Sequence, residues 1–362
     1  MSGRDRPDIR PPGAIDAAWL GAVLRAGGVD AVVDRFTAKA IGTGQIGDSV
    51  RFELTYAGAP AGAPASLVGK FPSAGAESRA TGVRLGNYLR EVRFYQQLAP
   101  TARISTPRCW FADVDEAGAD FVLMMEDLAP AEPGDQLKGV SLDQARLVMV
   151  EAAKLHASHW GDDGLDALPW VSGSKAAPAS AATNEAVTML WQAFRARYAA
   201  RLAPAWAEVG DRLTANFDRI GVLREGPRCL THNDFRPDNM MFASARGGRP
   251  VTVLDWQSFA YGVGATDVAY FLAGALPAET RRTAEPELLA LYHQTLVAEG
   301  VTGYGADQLA ADYAHGGYLL FLTAFFAAMI VTQTARGDDM FIQMLSSAAE
   351  HMLEHGALDG LV

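Results

Sequence analysis

Apolar residues change their spacing twice along this chain. Over residues 14–35, Leu20, Val23 and Leu24 fall on one face of a helix that Gly27 and Gly28 end. From Phe36 to Phe71 the period shortens to two. Val50, Phe52, Leu54 and Tyr56 alternate with Arg51, Glu53 and Thr55, the pattern of a half-buried strand. The Gly/Pro run at 57–65 reads as a turn, and 66–71 as the returning strand. A glycine-containing loop leads into a helix from about Leu85 to Leu98, with Tyr88, Val92, Tyr95 and Leu98 along one side. Two strands follow, near 108–113 and 121–125, with a turn at 115–118 between them. The segment from Glu126 to Pro130 breaks the pattern and divides the chain into a first part, 1–128, and a second, 129–362.

Beyond Pro133 the spacing is mainly helical. Leu147, Val148, Ala152, Leu155 and His159 line one side of a helix over 142–160, and 183–217 continues as helix after an Ala/Ser-rich linker. The clear strands here are 239–243 and 250–255, joined by the turn Ala245-Arg246-Gly247-Gly248. Gly316 to Thr334 carries no charge and is just long enough to cross a bilayer. Its isolation, and the Thr and Gln within it, favour a buried helix, either central to the helical part or forming the apolar wall of a substrate pocket. The expectation is an α+β chain with a small antiparallel sheet first and a larger, mainly helical part after it.

Charge and cysteine usage narrow the class. The net charge of −11 argues against a general nucleic-acid binder, which needs a basic face. Cys109 and Cys229 are far apart and lack C-x-x-C spacing, which fits reduced core thiols in a cytoplasmic protein. The charged, Pro-rich start at 1–13 has no apolar h-region, so no secretion signal is expected. Neither His156/His159 nor His351/His355 has a third ligand nearby in sequence, so packing or surface roles are expected for both pairs.

The chemistry concentrates in one stretch. His232-Asn233-Asp234 is followed by Asn239, and Asp255 ends the next apolar run. This spacing suits phosphoryl transfer. Asp234 would orient a hydroxyl and accept its proton, while Asn239 and Asp255 offer the oxygen donors that Mg2+ prefers. Arg236 could stabilise the transferring phosphate, or pair with Asp238 or Asp267. Upstream, Gly42, Gly44 and Gly47 form G-x-G-x-x-G before a strand, which is either a phosphate-covering loop or a plain turn. Lys70 lies in an apolar strand and Glu91 on a following helix. The two read as a phosphate-binding lysine with its carboxylate partner, or as an edge-strand lysine beside a surface acid. His232 reads as a brace for the loop. No G-x-S-x-G suggests a serine hydrolase.

Together these residues resemble the aminoglycoside phosphotransferase family of small-molecule kinases. The resemblance runs over roughly 36–275 and is strongest from His232 to Phe271. It implies a protein-kinase-like bilobal fold, ATP and Mg2+ as cofactors, and a small-molecule hydroxyl as acceptor. It also implies an adenine-binding hinge at Met125, Glu126, Asp127 and Leu128, and a structural role for Asp267 behind the catalytic loop. Asn233 stands where the family usually has Gly, which is closest to ecdysteroid-kinase-like members. Gln257 replaces a common acid. A choline- or aminoglycoside-type kinase and a non-catalytic nucleotide-binding pseudokinase are the alternative readings. The oligomeric state is left open, and neither a nucleic-acid partner nor a membrane span is expected.

Overall fold

The computed structural model describes residues 6–42, 46–178, 182–220 and 226–359. They form two compact units. The first comprises 1–101, 106–131 and 254–258; the second comprises 102–105, 132–253 and 259–362.

The first unit opens with α1 (Ala17–Ala26), whose N-terminus is capped by the Asp16 carboxylate accepting from Trp19 N–H at 2.7 Å. Strands β1 (Val33–Ile41), β2 (Gly47–Tyr56), β3 (Ser66–Pro72), β4 (Cys109–Val114) and β5 (Phe121–Glu126) make one antiparallel sheet in the order β1-β2-β3-β5-β4. Trp19, Leu20, Val23 and Leu24 of α1 cover a face of it together with Phe52, Leu67, Phe71 and Met124. The loop expected before the third helix contains a helix of its own, α2 (Ala76–Arg84). Helix α3 (Asn87–Arg93) follows and widens into a π turn at Phe94–Leu98.

The second unit is mostly helix. Its elements are β6 (Glu132–Pro133), α4 (Leu142–Ser158), α5 (Asp163–Asp166), α6 (Asn184–Arg197), α7 (Pro204–Ala215), α8 (Phe217–Ile220), β7 (Arg228–Thr231), β8 (Met240–Ser244), β9 (Gly247–Val253), β10 (Ala260–Val263), α9 (Ala265–Ala275), α10 (Ala278–Ala298), α11 (Ala306–Ile330) and α12 (Ala335–Glu354). The α+β expectation is met, with two corrections. The helix expected over 183–217 breaks, and Pro204, with its φ preset and no N–H to satisfy, starts α7. The strands also number more than two. β7 and β10 pair into a small antiparallel sheet, and β6, β8 and β9 form another.

Most of the apolar segment expected at 316–334 belongs to α11, which starts earlier, at Ala306, and ends at Ile330, short of the expected Thr334. By length and composition this helix could cross a membrane, yet 56% of its most apolar window is buried inside the protein. Phe321 and Phe325 pack with Trp191 of α6, and Leu345 and Ala348 of α12 join the same core.

Candidate active site

In the first unit the alternation of β3 decides where Lys70 points. Leu67, Gly69 and Phe71 are buried, which turns Lys70 to the opposite face. Since β3 lies inside the sheet, Lys70 is not an edge-strand lysine. Its Nζ lies 2.7 Å from Glu91 Oε2 on α3 and 3.2 Å from Asp255 Oδ1. Glu91 is 1% exposed, so this ammonium and carboxylate depend on each other to be tolerated in the interior. Burial works against the charge on Lys70, but Asp255 and Glu91 outweigh it and hold the amine above its ordinary pKa. Burial raises Glu91, opposed by Lys70 and reinforced by the charge on Asp255.

Gly42 ends the β1 side of the glycine loop with φ +74°, and Gly44 lies outside the described residues. Gly47 has a specific steric reason to be glycine. A Cβ there would sit 3.0 Å from the Phe71 carbonyl oxygen and 3.5 Å from Lys70 Cε. The loop is tied down by the Tyr88 hydroxyl, which donates to the Ile46 carbonyl at 2.5 Å.

Asp255 follows β9 in the chain and adopts φ +63°, a left-handed conformation uncommon outside glycine. Its turn is anchored beside it. The Trp256 indole stacks on Phe94 at 3.9 Å between centroids and 6° between planes, and its Nε1 donates to Thr106 Oγ1 at 3.1 Å. Gln257, where the family commonly has an acid, brings its Nε2 to 3.4 Å from Asp255 Oδ2, and its carbonyl accepts from Arg90 Nε at 3.0 Å.

Met125, Glu126 and Asp127 close β5 and the segment after it. Met125 pairs with Val68, two positions along β3 from Lys70. The Asp127 side chain is engaged within the unit. It pairs with Arg51 at 2.7 Å and accepts from the Ser66 hydroxyl at 2.7 Å and from Ala129 N–H at 3.1 Å. Glu126 N–H donates to the Arg108 carbonyl at 2.9 Å.

In the second unit the loop after β7 gathers the other residues. Asp234 Oδ1 accepts from Arg236 Nε and from the Tyr270 hydroxyl, each at 2.9 Å. Its Oδ2 accepts from Asn239 Nδ2 at 2.7 Å. Asn239 ends a 3-10 turn at Pro237–Asn239 rather than beginning a strand as expected. With its nitrogen committed to Asp234, its amide oxygen is the atom left to offer a cation. Arg236 also reaches Asp238 at 3.0 Å, so its pairing is with Asp234 and Asp238 and not with Asp267.

Asp267, at the start of α9, accepts from the backbone N–H groups of His232 at 2.6 Å and Asn233 at 2.9 Å. It thus braces the loop as the family resemblance implies. Asn233 has φ +63°, which explains glycine as the usual residue here and Asn as a tolerated substitute. His232 Nδ1 accepts from Asp234 N–H at 3.3 Å.

Three participants escape the sequence reading. His156 of α4 places Nε2 3.2 Å from Asp267 and Nδ1 2.8 Å from the Tyr292 hydroxyl, extending the brace through the core. Tyr270 is the third. It lies three residues after Asp267 on one helix, and that spacing is the available signal, because residues i and i+3 share a face. Burial, reinforced by the charge on Asp234, holds the Tyr270 phenol protonated and so a donor.

A search against curated proteins gives no match. Among solved structures, a candidate aminoglycoside phosphotransferase from Ralstonia eutropha JMP134 is similar at 18% identity and a TM-score of 0.52, covering 92% of this chain and 97% of its own. An ethanolamine kinase from Plasmodium vivax is similar at 9% identity and a TM-score of 0.49, covering 86% of this chain and 81% of its own. The first of these is a likeness of fold. The sequence itself matches the model of the phosphotransferase enzyme family over residues 38–306, a span that takes in Lys70, Glu91, Asp234, Asn239 and Asp255. By that match, well over half its length, the chain belongs to the phosphotransferase enzyme family.

Proposed function

We propose that the protein is an ATP- and Mg2+-dependent kinase that phosphorylates a hydroxyl of a small, partly apolar metabolite. The observation that carries this reading is the environment of Asp234. A carboxylate held from three sides by Tyr270, Arg236 and Asn239 is oriented as a general base needs to be, whereas a module that only binds nucleotide has no use for one. Asp234 accepts the proton of the acceptor hydroxyl. Lys70, fixed by Glu91, holds the phosphates, and the glycine loop covers them. Asn239 and Asp255 would each offer a hard oxygen donor to Mg2+, and bound Mg2+ would neutralise charge on the phosphates.

Two features favour a partly apolar acceptor over a polycation. The carboxylates of Asp238 and Asp135 are already matched, since Arg236 and Arg336 pair with Asp238, and Arg336 also pairs with Asp135. The apolar helical core also reaches this point, with Met340 Sδ of α12 at 3.2 Å from Arg236.

The test is Mg2+-dependent binding and slow hydrolysis of ATP by wild type, Asp234→Asn and Asp255→Asn. Asp255→Asn is expected to weaken metal-dependent binding. Asp234→Asn is expected to bind but to lose turnover by roughly a hundredfold or more, the scale of general-base catalysis. Wild type that binds no nucleotide in the presence of Mg2+ would end this reading. If it does bind and turn over, a screen of hydroxylated metabolites identifies the acceptor.

A further inference from the structure

Far along the chain from the catalytic loop, α10 brings Glu285 beside His351 and His355 of α12, supplying the third ligand that the sequence does not place near this pair. A carboxylate oxygen and one ring nitrogen from each histidine lie within 4.8 Å of one another. We propose that Glu285, His351 and His355 form a second metal site, for a divalent cation of the zinc class, which fastens α10 to the end of α12.

The argument rests on how the three donors are held. His351 is fully buried, and its Nε2 lies 3.1 Å from the Tyr313 carbonyl. A carbonyl only accepts, so Nε2 carries the proton and Nδ1 presents its lone pair. That Nδ1 is buried with no hydrogen-bond partner among the described residues. A buried acceptor left unmatched is costly, and a metal ion satisfies it. A ring that gives one N–H to a backbone carbonyl and turns the other nitrogen inward has the arrangement of a metal-ligating histidine.

Glu285 is oriented in the same way. Its Oε2 accepts from the Tyr313 hydroxyl at 2.7 Å and from Arg281 at 2.9 Å, which leaves Oε1 towards His355 Nε2 at 3.1 Å. Tyr313 therefore positions two of the three donors, one through its carbonyl and one through its hydroxyl. The two imidazoles are 4.5 Å apart between centroids, as an i, i+4 pair on one helix allows. Arg281 places a positive charge nearby, but Glu285 shares it with Glu354, which also pairs with Arg282. His355 and Glu285 are partly exposed and supply the small movement that closes the site around an ion. Two imidazoles and one carboxylate match zinc better than magnesium, which prefers oxygen alone.

The experiment uses the full chain, freed of metal with a chelator and titrated with Zn2+ in excess Mg2+ by calorimetry. Wild type and Asp255→Asn should each bind one zinc with equal affinity. His355→Ala, at a partly exposed position, should lose at least about tenfold in affinity. Glu285→Gln should lose a similar amount, with circular dichroism checking that both variants fold. Zinc binding that survives His355→Ala unchanged, or disappears in Asp255→Asn, or is absent from wild type, overturns the proposal. Any of these outcomes leaves the kinase assignment to its own ATP assay.

Discussion

Tyr270 shows what a single hydroxyl contributes to the loop that carries Asp234. It is buried at 1% exposure and donates to Asp234 Oδ1, the oxygen that also accepts from Arg236. In the kinase reading it is a positioning residue. Removing the hydroxyl leaves the ring in its place and frees the carboxylate to rotate. A hydrogen bond to a charged group contributes about 1.5–3 kcal/mol, so Tyr270→Phe should lower kcat by about tenfold or more. The KM for nucleotide should stay near the wild-type value, because Lys70, Glu91 and Asp255 are untouched. A matched fall in nucleotide affinity would mean that Tyr270 supports the loop as a whole rather than the orientation of Asp234. The residue scale is also where the sequence was both most and least informative. Type and spacing were enough to single out Lys70, Glu91, Asp234, Asn239 and Asp255 as candidates. Tyr270, His156 and Tyr292 were not, since an aromatic or a histidine on a buried helix reads as packing until its polar atom is seen to meet an acid.

At the level of elements, the close crossing of α9 and α11 depends on Gly316. A Cβ at that position would stand 2.6 Å from Ala269 Cβ and 3.1 Å from the Ala265 carbonyl oxygen. α9 also carries Asp267 and Tyr270, so the spacing of these two helices bears on the loop that carries Asp234. Gly316→Leu should therefore destabilise the protein by about 1–3 kcal/mol or more through overpacking. A urea titration followed by tryptophan fluorescence would read this as a lower midpoint, and an unchanged midpoint would show that the helices separate freely here. Long periodic elements were legible in the sequence, among them α4 and the β2–β3 hairpin. Short ones were not. β7 and β10 have four residues each, too few to establish a period, and their pairing across an intervening stretch leaves no local trace. The break before α7 was signalled by Pro204, which marks the first turn of a new helix as readily as a kink within an old one.

For the whole molecule, the two units share a dependence on buried acids kept neutral. Burial pushes the Cys109 thiol up to about 12 and raises Cys229, Tyr270, Tyr292 and Tyr313 well above their ordinary values. In the unfolded chain these groups lose their protons near their ordinary pKa values, from about 8.5 for a thiol to 10 for a phenol. The folded state then holds more protons, so stability falls as pH rises from about 9 towards 12. Melting temperature measured from pH 8 to 11 should decline along that course, and Cys109→Ala should flatten the part nearest pH 9. An unaltered slope in Cys109→Ala would assign the decline to Cys229 and the tyrosines.

The burial of α11 constrains inheritance as well as packing. From Tyr313 to Met329 none of its residues is exposed. A helix on the surface has one side where mutations pass unnoticed, so tolerance along it rises and falls with each turn. The nearest thing to such a side here is a half-buried stripe at His315, Leu319, Thr323 and Phe326. A saturation-mutagenesis library selected for folded protein should show intolerance along the whole stretch, deepest at the buried positions and eased but not lifted along that stripe. Change over generations would then come as matched exchanges between α11 and the side chains of α6, α9 and α12 that meet it, and seldom as single steps.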